Sequence, residues 1–515
     1  MRARPALLVC ALTLHVLAIG AGSRPHAEAV RQTSTKPSAE REAQVVCGTA
    51  CHAYPPPDVL PRSAWADSIA RMSRFRANLP EPQGQAGALA TAVELPPDMA
   101  RILAFYESHA PESLKTPPRW PGVDTRWRFR KHAMSPKHPR KTPAISHVRF
   151  VDLDGDGVLD VLATDMRHGL IMRGNPRDPA APLEIIAETH NPARAEVEDV
   201  DGDGRLDLLV ADLGSFFPGD HENGAVVFLR RSDKGEFVRY GLGGLPRVAD
   251  VRAADFDGDK RRDLIVGAFG WRKVGHISLL LNRPGDGEEP AFESRRLDER
   301  SGTISVPPVD LDGDGRMDVV ALIAQQHEQV VALLNRPAGF EPRVIYAAPH
   351  PNWGSSGMSV VDLDGDSDLD VLLAHGDSFD DQILKPYHGI EWLENRGTYP
   401  FHAHSLAVVP GVHPVLAIDF DGDGDKDVVA GSLLALAGGA QTGAASVVWL
   451  EQVAPRRFER RTLEIGVPAH ASLDAADYDG DGDVDLVIGN FTAGGEMPAW
   501  VELWENLAKE RKPEA

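Results

Sequence analysis

Residues 152–160 read DLDGDGVLD, and the same nine-residue phrase returns six more times: DVDGDGRLD at 199–207, DFDGDKRRD at 255–263, DLDGDGRMD at 310–318, DLDGDSDLD at 362–370, DFDGDGDKD at 419–427 and DYDGDGDVD at 477–485. Successive starts lie 47, 56, 55, 52, 57 and 58 residues apart. A period of that length with no helical pattern inside it is the spacing of a propeller blade, not of a solenoid coil. Each motif runs into an apolar, β-branched stretch such as VLATD, LIVGA or VVALI, which suits a buried strand. A variable loop follows, then a further strand (GAVVFLRR, GHISLLLNR, QVVALLNR), then a run such as GFEPRVI or RFERRTL whose alternation of polar and apolar residues fits an outer strand. The short segment ahead of each motif (SHVRFV, GMSVV) completes four strands per blade.

The two ends of the repeat decide how the ring closes. After the seventh motif the chain supplies only Leu486–Asn490 and Trp500–Asn506 before a charged tail, so the outer strand of that blade is missing. Arg126–Met134 (RWRFRKHAM), upstream of the first motif, resembles an outer strand and has no blade of its own. Pairing it with the seventh blade removes an open sheet edge. The fold expected is all-β: a seven-bladed β-propeller of four-stranded blades closed by an N-terminal strand and preceded by a small, mainly α-helical module. Its divisions are a signal peptide at 1–22, a flexible linker at 23–44, the helical module at 45–115, a linker at 116–125, the propeller at 126–507 and a charged tail at 508–515. The signal is read from the basic Arg2 and Arg4, the apolar run Ala6–Ile19 and the small residues Gly20–Gly22. It implies export, to the periplasm or beyond, and that run is too short to span a bilayer comfortably.

The Asp loops have the chemistry of a hard-cation site. Carboxylates at positions 1, 3, 5 and 9 with a carbonyl at 7 supply oxygen ligands, and Gly at position 6 permits the sharp turn that makes them converge. The candidate calcium ligands are Asp152, Asp154, Asp156 and Asp160 in the first loop, and Asp199, Asp201, Asp203 and Asp207 in the second. The third has Asp255, Asp257, Asp259 and Asp263, the fourth Asp310, Asp312, Asp314 and Asp318, and the fifth Asp362, Asp364, Asp366 and Asp370. The sixth and seventh have Asp419, Asp421, Asp423 and Asp427, then Asp477, Asp479, Asp481 and Asp485. Position 12 is Ala163 in the first copy and is not Glu in any, which sets these loops apart from the EF-hand. Twenty-eight clustered carboxylates repel unless neutralised, and seven divalent ions would move the formal charge from −22 to −8. Lys260 and Ser367 replace the position-6 Gly in the third and fifth loops, so those two sites depart from the pattern.

Over residues 126–507 these loops and blades resemble the FG-GAP, or VCBS-type, repeats of integrin α-subunit head propellers and of many secreted bacterial proteins. The resemblance implies calcium on the Asp residues at positions 1, 3, 5 and 9, and a scaffold role that leaves the ligand open.

The N-terminal module is different in kind. It contains Cys47, Cys51 and His52 in VVCGTACHAYPPP, then a helix near Ser63 and another opened by Pro96 and Pro97. A haem-attachment motif has two residues between its cysteines and this one has three. It resembles the variant C-x-x-x-C-H motif of small cytochrome-c-like modules joined to such repeats. That resemblance implies covalent haem c on Cys47 and Cys51, His52 as axial ligand, and Met72 or Met99 as sixth ligand. The other readings are a disulfide between Cys47 and Cys51, since residues four apart on a helix lie at bridging distance, and a pair of free thiols. Cys10 falls in the signal, so no larger disulfide framework exists.

Composition narrows the partners. Lys plus Arg number 54 against 76 Asp plus Glu, which argues against a binder of nucleic-acid phosphates. On the face opposite the Asp loops a polar set is expected at the strand ends, including Asp165, Asp212, His375, Asn490, His147, His350, His413 and His470, with Phe216, Phe217, Asp377, Asp380, Tyr387 and His388 from longer loops. No nucleophile elbow, phosphate-cradling loop or zinc-protease helix occurs in the chain. Three functions remain open: a calcium-stabilised propeller that binds carbohydrate or protein by its loop face, a sugar lyase or dehydratase using the His-rich face, and an electron-transfer protein that meets a redox partner through the N-terminal module.

Overall fold

The structure, a computed structural model, describes residues 38–48, 53–79, 94–284, 291–434, 443–492 and 496–508. Seven antiparallel sheets follow one another, one per Asp motif. The first blade shows the plan: Ile145–Val151, Asp160–Asp165, Leu170–Gly174 and Glu184–Glu188 pair in that order, and the motif forms the turn between the first and second strands. The second strand is buried along its full length in every blade, because neighbouring sheets pack on both of its faces. Outer strands such as Ala291–Asp298 and His402–Val408 are largely open to solvent, which explains their polar alternation.

Each first strand begins with a register shift against the second, between Ile145 and His147 in blade one and between His470 and Ser472 in blade seven. Such bulges bend the strand at the sheet rim. In blade four the first strand is broken into Thr303–Ser305 and Pro308–Val309, since Pro307 and Pro308 have no N–H for the ladder.

The ring closes as expected. Phe129–Met134 pairs antiparallel with Val501–Asn506, Phe129 opposite Asn506 and Met134 opposite Val501, as the outermost strand of the seventh sheet. Just ahead of it Trp127 packs on Phe420 and Trp449, with ring centroids 5.0 and 5.3 Å away.

Among the described residues the helical module has three α-helices, α1 (Ala39–Gly48), α2 (Trp65–Arg76) and α3 (Pro97–His109). α1 starts at Ala39, ahead of the boundary drawn at residue 45 and inside the stretch assigned to a flexible linker. Ala43, one turn into α1, is buried in the module core, which makes this end of the stretch part of the module. α3 opens with Pro97 at its first position, where the missing N–H costs nothing. The core is built around Trp65, stacked on Tyr106 at 3.8 Å, with Ile69, Met99 and Ile102. Among the described residues no helix is long and apolar enough to cross a membrane. Residues 1–22, Cys51, His52 and 509–515 lie outside the described residues, as does the side chain of Cys47.

Candidate functional site

Two places bring functional side chains together: the Asp loops on one face of the ring, and a cavity where the helical module meets the other.

In the Asp loops the backbone follows from the sequence. The position-1 carboxylate folds the turn onto itself: Asp152 accepts the N–H groups of Gly155 (2.7 Å), Asp156 (3.1 Å) and Gly157 (2.8 Å). The position-6 residue is left-handed in all seven loops, including Lys260 (φ 72°) and Ser367 (φ 79°). Both still donate their N–H to the position-1 Asp, at 2.9 and 3.0 Å, so the two deviant loops keep the shape of the others. The position-2 residues, from Leu153 to Tyr478, are buried. Position 9 has a task the motif did not disclose. Asp318 accepts the N–H of Leu311 (3.1 Å) and that of Asn335 at the end of the third strand (2.6 Å), and Asp263, Asp370, Asp427 and Asp485 repeat the pattern. These carboxylates lock their loops to their sheets; in blade one Asp160 is instead bonded by Arg173.

The loops fit a hard cation. Oxygens of Asp152, Asp154 and Asp156 lie within 4.8 Å of one another, as do those of Asp199, Asp201 and Asp203, and of Asp255, Asp257 and Asp259; in two further loops the set is Asp310, Asp312, Asp318 and Asp362, Asp364, Asp370. Every donor is a carboxylate oxygen, the ligand type that calcium takes. The sequence missed a competing form of neutralisation. Arg173 reaches Asp154 (2.7 Å) and Asp160 (2.8 Å), Arg230 reaches Asp201 (2.5 Å), Arg283 reaches Asp257 (2.7 Å), Arg336 pairs with Asp312 and Asp314, and Arg456 reaches Asp364 (2.6 Å). Among the described residues no arginine pairs with the position-1, -3, -5 or -9 carboxylates of blades six and seven. Burial, reinforced by neighbouring carboxylates, pushes Asp421 and Asp479 above the usual range, and Asp427 and Asp485 up to about 7.

Part of the polar set on the opposite face is held by internal bonds, while His147, His350, His375 and His388 keep buried ring nitrogens without a hydrogen-bond partner. Asp165 accepts the N–H groups of Ala144 (2.8 Å) and His168 (2.7 Å), Asp212 those of Asn191 (2.9 Å) and Gly214 (2.8 Å), and His470 is held between Asn490 (2.9 Å) and Glu464 (2.7 Å). Phe216, Phe379 and Phe491, from blades two, five and seven, meet edge or face at 5.7 to 6.3 Å. Blades four and five are different, because there the helical module covers the loops. Tyr387 and Ile383 pack into the module core, and the Tyr387 hydroxyl lies 3.1 Å from the Val59 carbonyl.

Between module and propeller is a cavity of about 1130 Å3. Val45, Val46, Met72, Phe75 and Met99 give it an apolar wall, and Gln326, Glu328, Ser355, Asp377 and Lys385 give it a polar one. Met72 is half-buried and open to the cavity. Met99 is 1% exposed and its sulfur sits 3.8 Å from Arg76 Nη1. Both methionines line the cavity, and Met72 is the less buried of the two. Glu328 was not singled out in the sequence; it is one Glu in an ordinary turn, and only folding sets it against this space.

The FG-GAP-like repeat profile matches residues 199–266 and 310–373, which are blades two and four with the beginnings of the blades that follow. The chain carries FG-GAP-like repeats. Cartilage acidic protein 1 of Mus musculus is 24% identical over 197 residues, and that of Homo sapiens 25% over 211, covering 34% and 37% of this chain. The FG-GAP-like chain spans 29% of the length of these curated relatives. Among solved structures, the Bacillus licheniformis rhamnogalacturonan lyase is 15% identical with a TM-score of 0.40, over 76% of this chain and 74% of that one. The Staphylococcus aureus virginiamycin B lyase is 11% identical with a TM-score of 0.44, over 74% and 99%.

Proposed function

We propose that this chain is an exported, calcium-stabilised propeller scaffold whose N-terminal module carries covalent haem for electron transfer, and whose uncovered loop face meets a carbohydrate or protein partner. The observation that carries the redox part is the cavity: its wall includes Val45 and Val46, immediately ahead of Cys47, and the half-buried Met72. Cys47, Cys51 and His52 would attach and ligate the group, and the Met72 thioether would complete the ligation. Haem so held supplies reversible one-electron chemistry. The chain's own part would be to pack the half-buried Val46 and Phe75 against the group, and to set the polar wall of Gln326, Glu328, Ser355, Asp377 and Lys385 opposite them. The calcium part is supported by the converging carboxylates and by the left-handed backbone retained at Lys260 and Ser367.

The test is expression of the full chain with a cytochrome maturation system. Covalent colour that survives denaturing electrophoresis, with Met72→Ala changing the low-spin spectrum and Met99→Ala leaving it, supports the reading. A colourless chain whose mass is short of two thiol hydrogens gives the disulfide instead and overturns the haem.

A further inference from the structure

Two Lys or Arg side chains are buried among the described residues, Lys385 at 3% exposure and Arg247 at 5%. Lys385 pairs with Asp381 at 2.9 Å. Arg247, which leads into the first strand of blade three, has no carboxylate partner among the described residues. Its Nε is buried without a hydrogen bond, and its Nη2 reaches only the Ser215 carbonyl, at 3.5 Å. Phe269 lies 5.5 Å from the guanidinium carbon, and a ring face offsets only part of a charge. Buried charges are ordinarily paired, because a cation taken out of water without a counter-charge is costly.

The repeat identifies the missing group. Asp165, Asp212 and Ala268 end the second strands of blades one, two and three, opposite Ile145, Pro192 and Val248. One residue ahead of those partners stand Ala144, Asn191 and Arg247. Asp165 accepts the Ala144 N–H at 2.8 Å and Asp212 the Asn191 N–H at 2.9 Å. Blade three therefore puts a guanidinium where its sister blades put a neutral side chain, and an alanine where they put the carboxylate. The loop of blade two that Arg247 reaches, residues 213–223, brings no negative charge to it. There Ser215 Oγ donates to the Phe217 carbonyl at 2.8 Å and contacts His221 Nε2 at 2.5 Å, while His221 Nδ1 accepts the Asn223 N–H at 3.2 Å. Burial, with Arg247 nearby, holds the His221 imidazole below its usual range. Phe217, two residues beyond Ser215, is 67% exposed.

We propose that Arg247 anchors the carboxylate of an organic-acid ligand on the loop face between blades two and three, supplying from outside the acid that blade three lacks. One guanidinium fork is matched by one carboxylate. Burial alone pushes Arg247 down to about 10, so no second cation stands by to share the double charge of a phosphate. The exposed Phe217 ring gives the body of such an acid an apolar surface beside the anchor. The inference goes beyond the function proposed above and needs neither its haem nor its calcium. A loop face that takes its partner without help from Arg247 overturns this inference and leaves that reading standing.

The experiment is thermal melting of the full chain at saturating calcium, titrated with sodium acetate, sodium glucuronate, methyl phosphate or glucose, each against sodium chloride at equal ionic strength. Acetate or glucuronate should raise the melting temperature with the logarithm of its concentration once the site fills, and glucose and methyl phosphate should not. A full shift with acetate makes a free acid group sufficient, and a shift with glucuronate alone makes the ligand a sugar acid; both support the site. Arg247→Met should melt at or above the unsubstituted chain when no ligand is present, because the unpaired charge is gone, and should weaken carboxylate binding on the order of tenfold or more. Ala268→Asp, which restores the acid of the sister blades, should also lose the response. The unsubstituted arm does not depend on either variant folding: no shift with either carboxylate, or an equal shift with methyl phosphate, overturns the proposal, as does a carboxylate response that survives Arg247→Met.

Discussion

Position 6 of the Asp loop isolates what one residue contributes. Five copies have Gly there, and Lys260 and Ser367 adopt the same left-handed backbone with the same N–H bond to the position-1 Asp. A side chain in that region costs about 1–2 kcal/mol, partly offset by the greater freedom Gly has when unfolded. Lys260→Gly and Ser367→Gly should therefore each raise stability by roughly 0.5–1 kcal/mol, and Gly157→Lys should lower it by a similar amount, read from denaturant midpoints at fixed calcium. The repeat itself was legible residue by residue, since aspartates at fixed spacing around an obligatory turn leave little freedom. Position 9 was legible as a carboxylate but not as a lock on the third strand, because its partner, Asn335 for Asp318, is supplied from across the hairpin.

The closing strand is where one element holds the ring together. Lys131 lies 3.5 Å over the Trp504 ring within its own sheet and reaches Glu464 of blade six at 2.6 Å, so it joins two blades. Glu464 also bonds His470 at 2.7 Å. Burial raises the Glu464 carboxyl, but the bonds from His470 and Lys131 more than offset it and hold it at about 2, below its ordinary 4.5. A carboxyl depressed on folding gives stability that is complete above its unfolded value and is lost as pH falls through the folded one. The junction of blades six and seven should weaken between pH 4.5 and 2, and Glu464→Gln should remove that dependence and cost on the order of 2 kcal/mol at neutral pH, measured by thermal melts across the range. Truncation tests the strand directly: a chain beginning at residue 116 should keep amide protection in Val501–Asn506, and one beginning at 135 should lose it. The need for this strand was countable in the sequence because a blade lacking its outer strand leaves an edge, whereas the tie to blade six depends on how adjacent sheets tilt.

Across the whole molecule, charge is managed in two ways. On the first strands of blades one to three, Arg149, Arg194 and Arg252 converge on the buried Glu196, with Arg252 also bonding Asp250 at 2.8 Å. Burial disfavours the Glu196 charge, and the three guanidiniums outweigh it. In the Asp loops, arginines pair with carboxylates of blades one to five, whereas among the described residues none pairs with the position-1, -3, -5 or -9 carboxylates of blades six and seven, so on the calcium proposal those two loops depend most on the cation. A chelator should lower the melting temperature by mass action, with the loss of amide protection greatest in the loops at 419–427 and 477–485. Equal loss in all seven loops, or an unchanged melt in calcium-free protein, would count against this division.

The sequence by itself determined the number of blades, the place of every Asp loop, the closing strand and the existence of a separate helical module. These depend on local periodicity and on counting strands, and neither changes with how the sheets are arranged. Tertiary structure alone decided which arginines enter which loops, that Asp165, Asp212 and His470 of the polar rim are internally bonded while other rim histidines are not, and that the module seats on blades four and five beside a cavity with Glu328 on its wall. Each of these brings together residues far apart in the chain, such as Val46 with Glu328 or Arg456 with Asp364. No spacing rule records such a meeting, because it is set by the packing of surfaces whose composition is unremarkable when read along the chain.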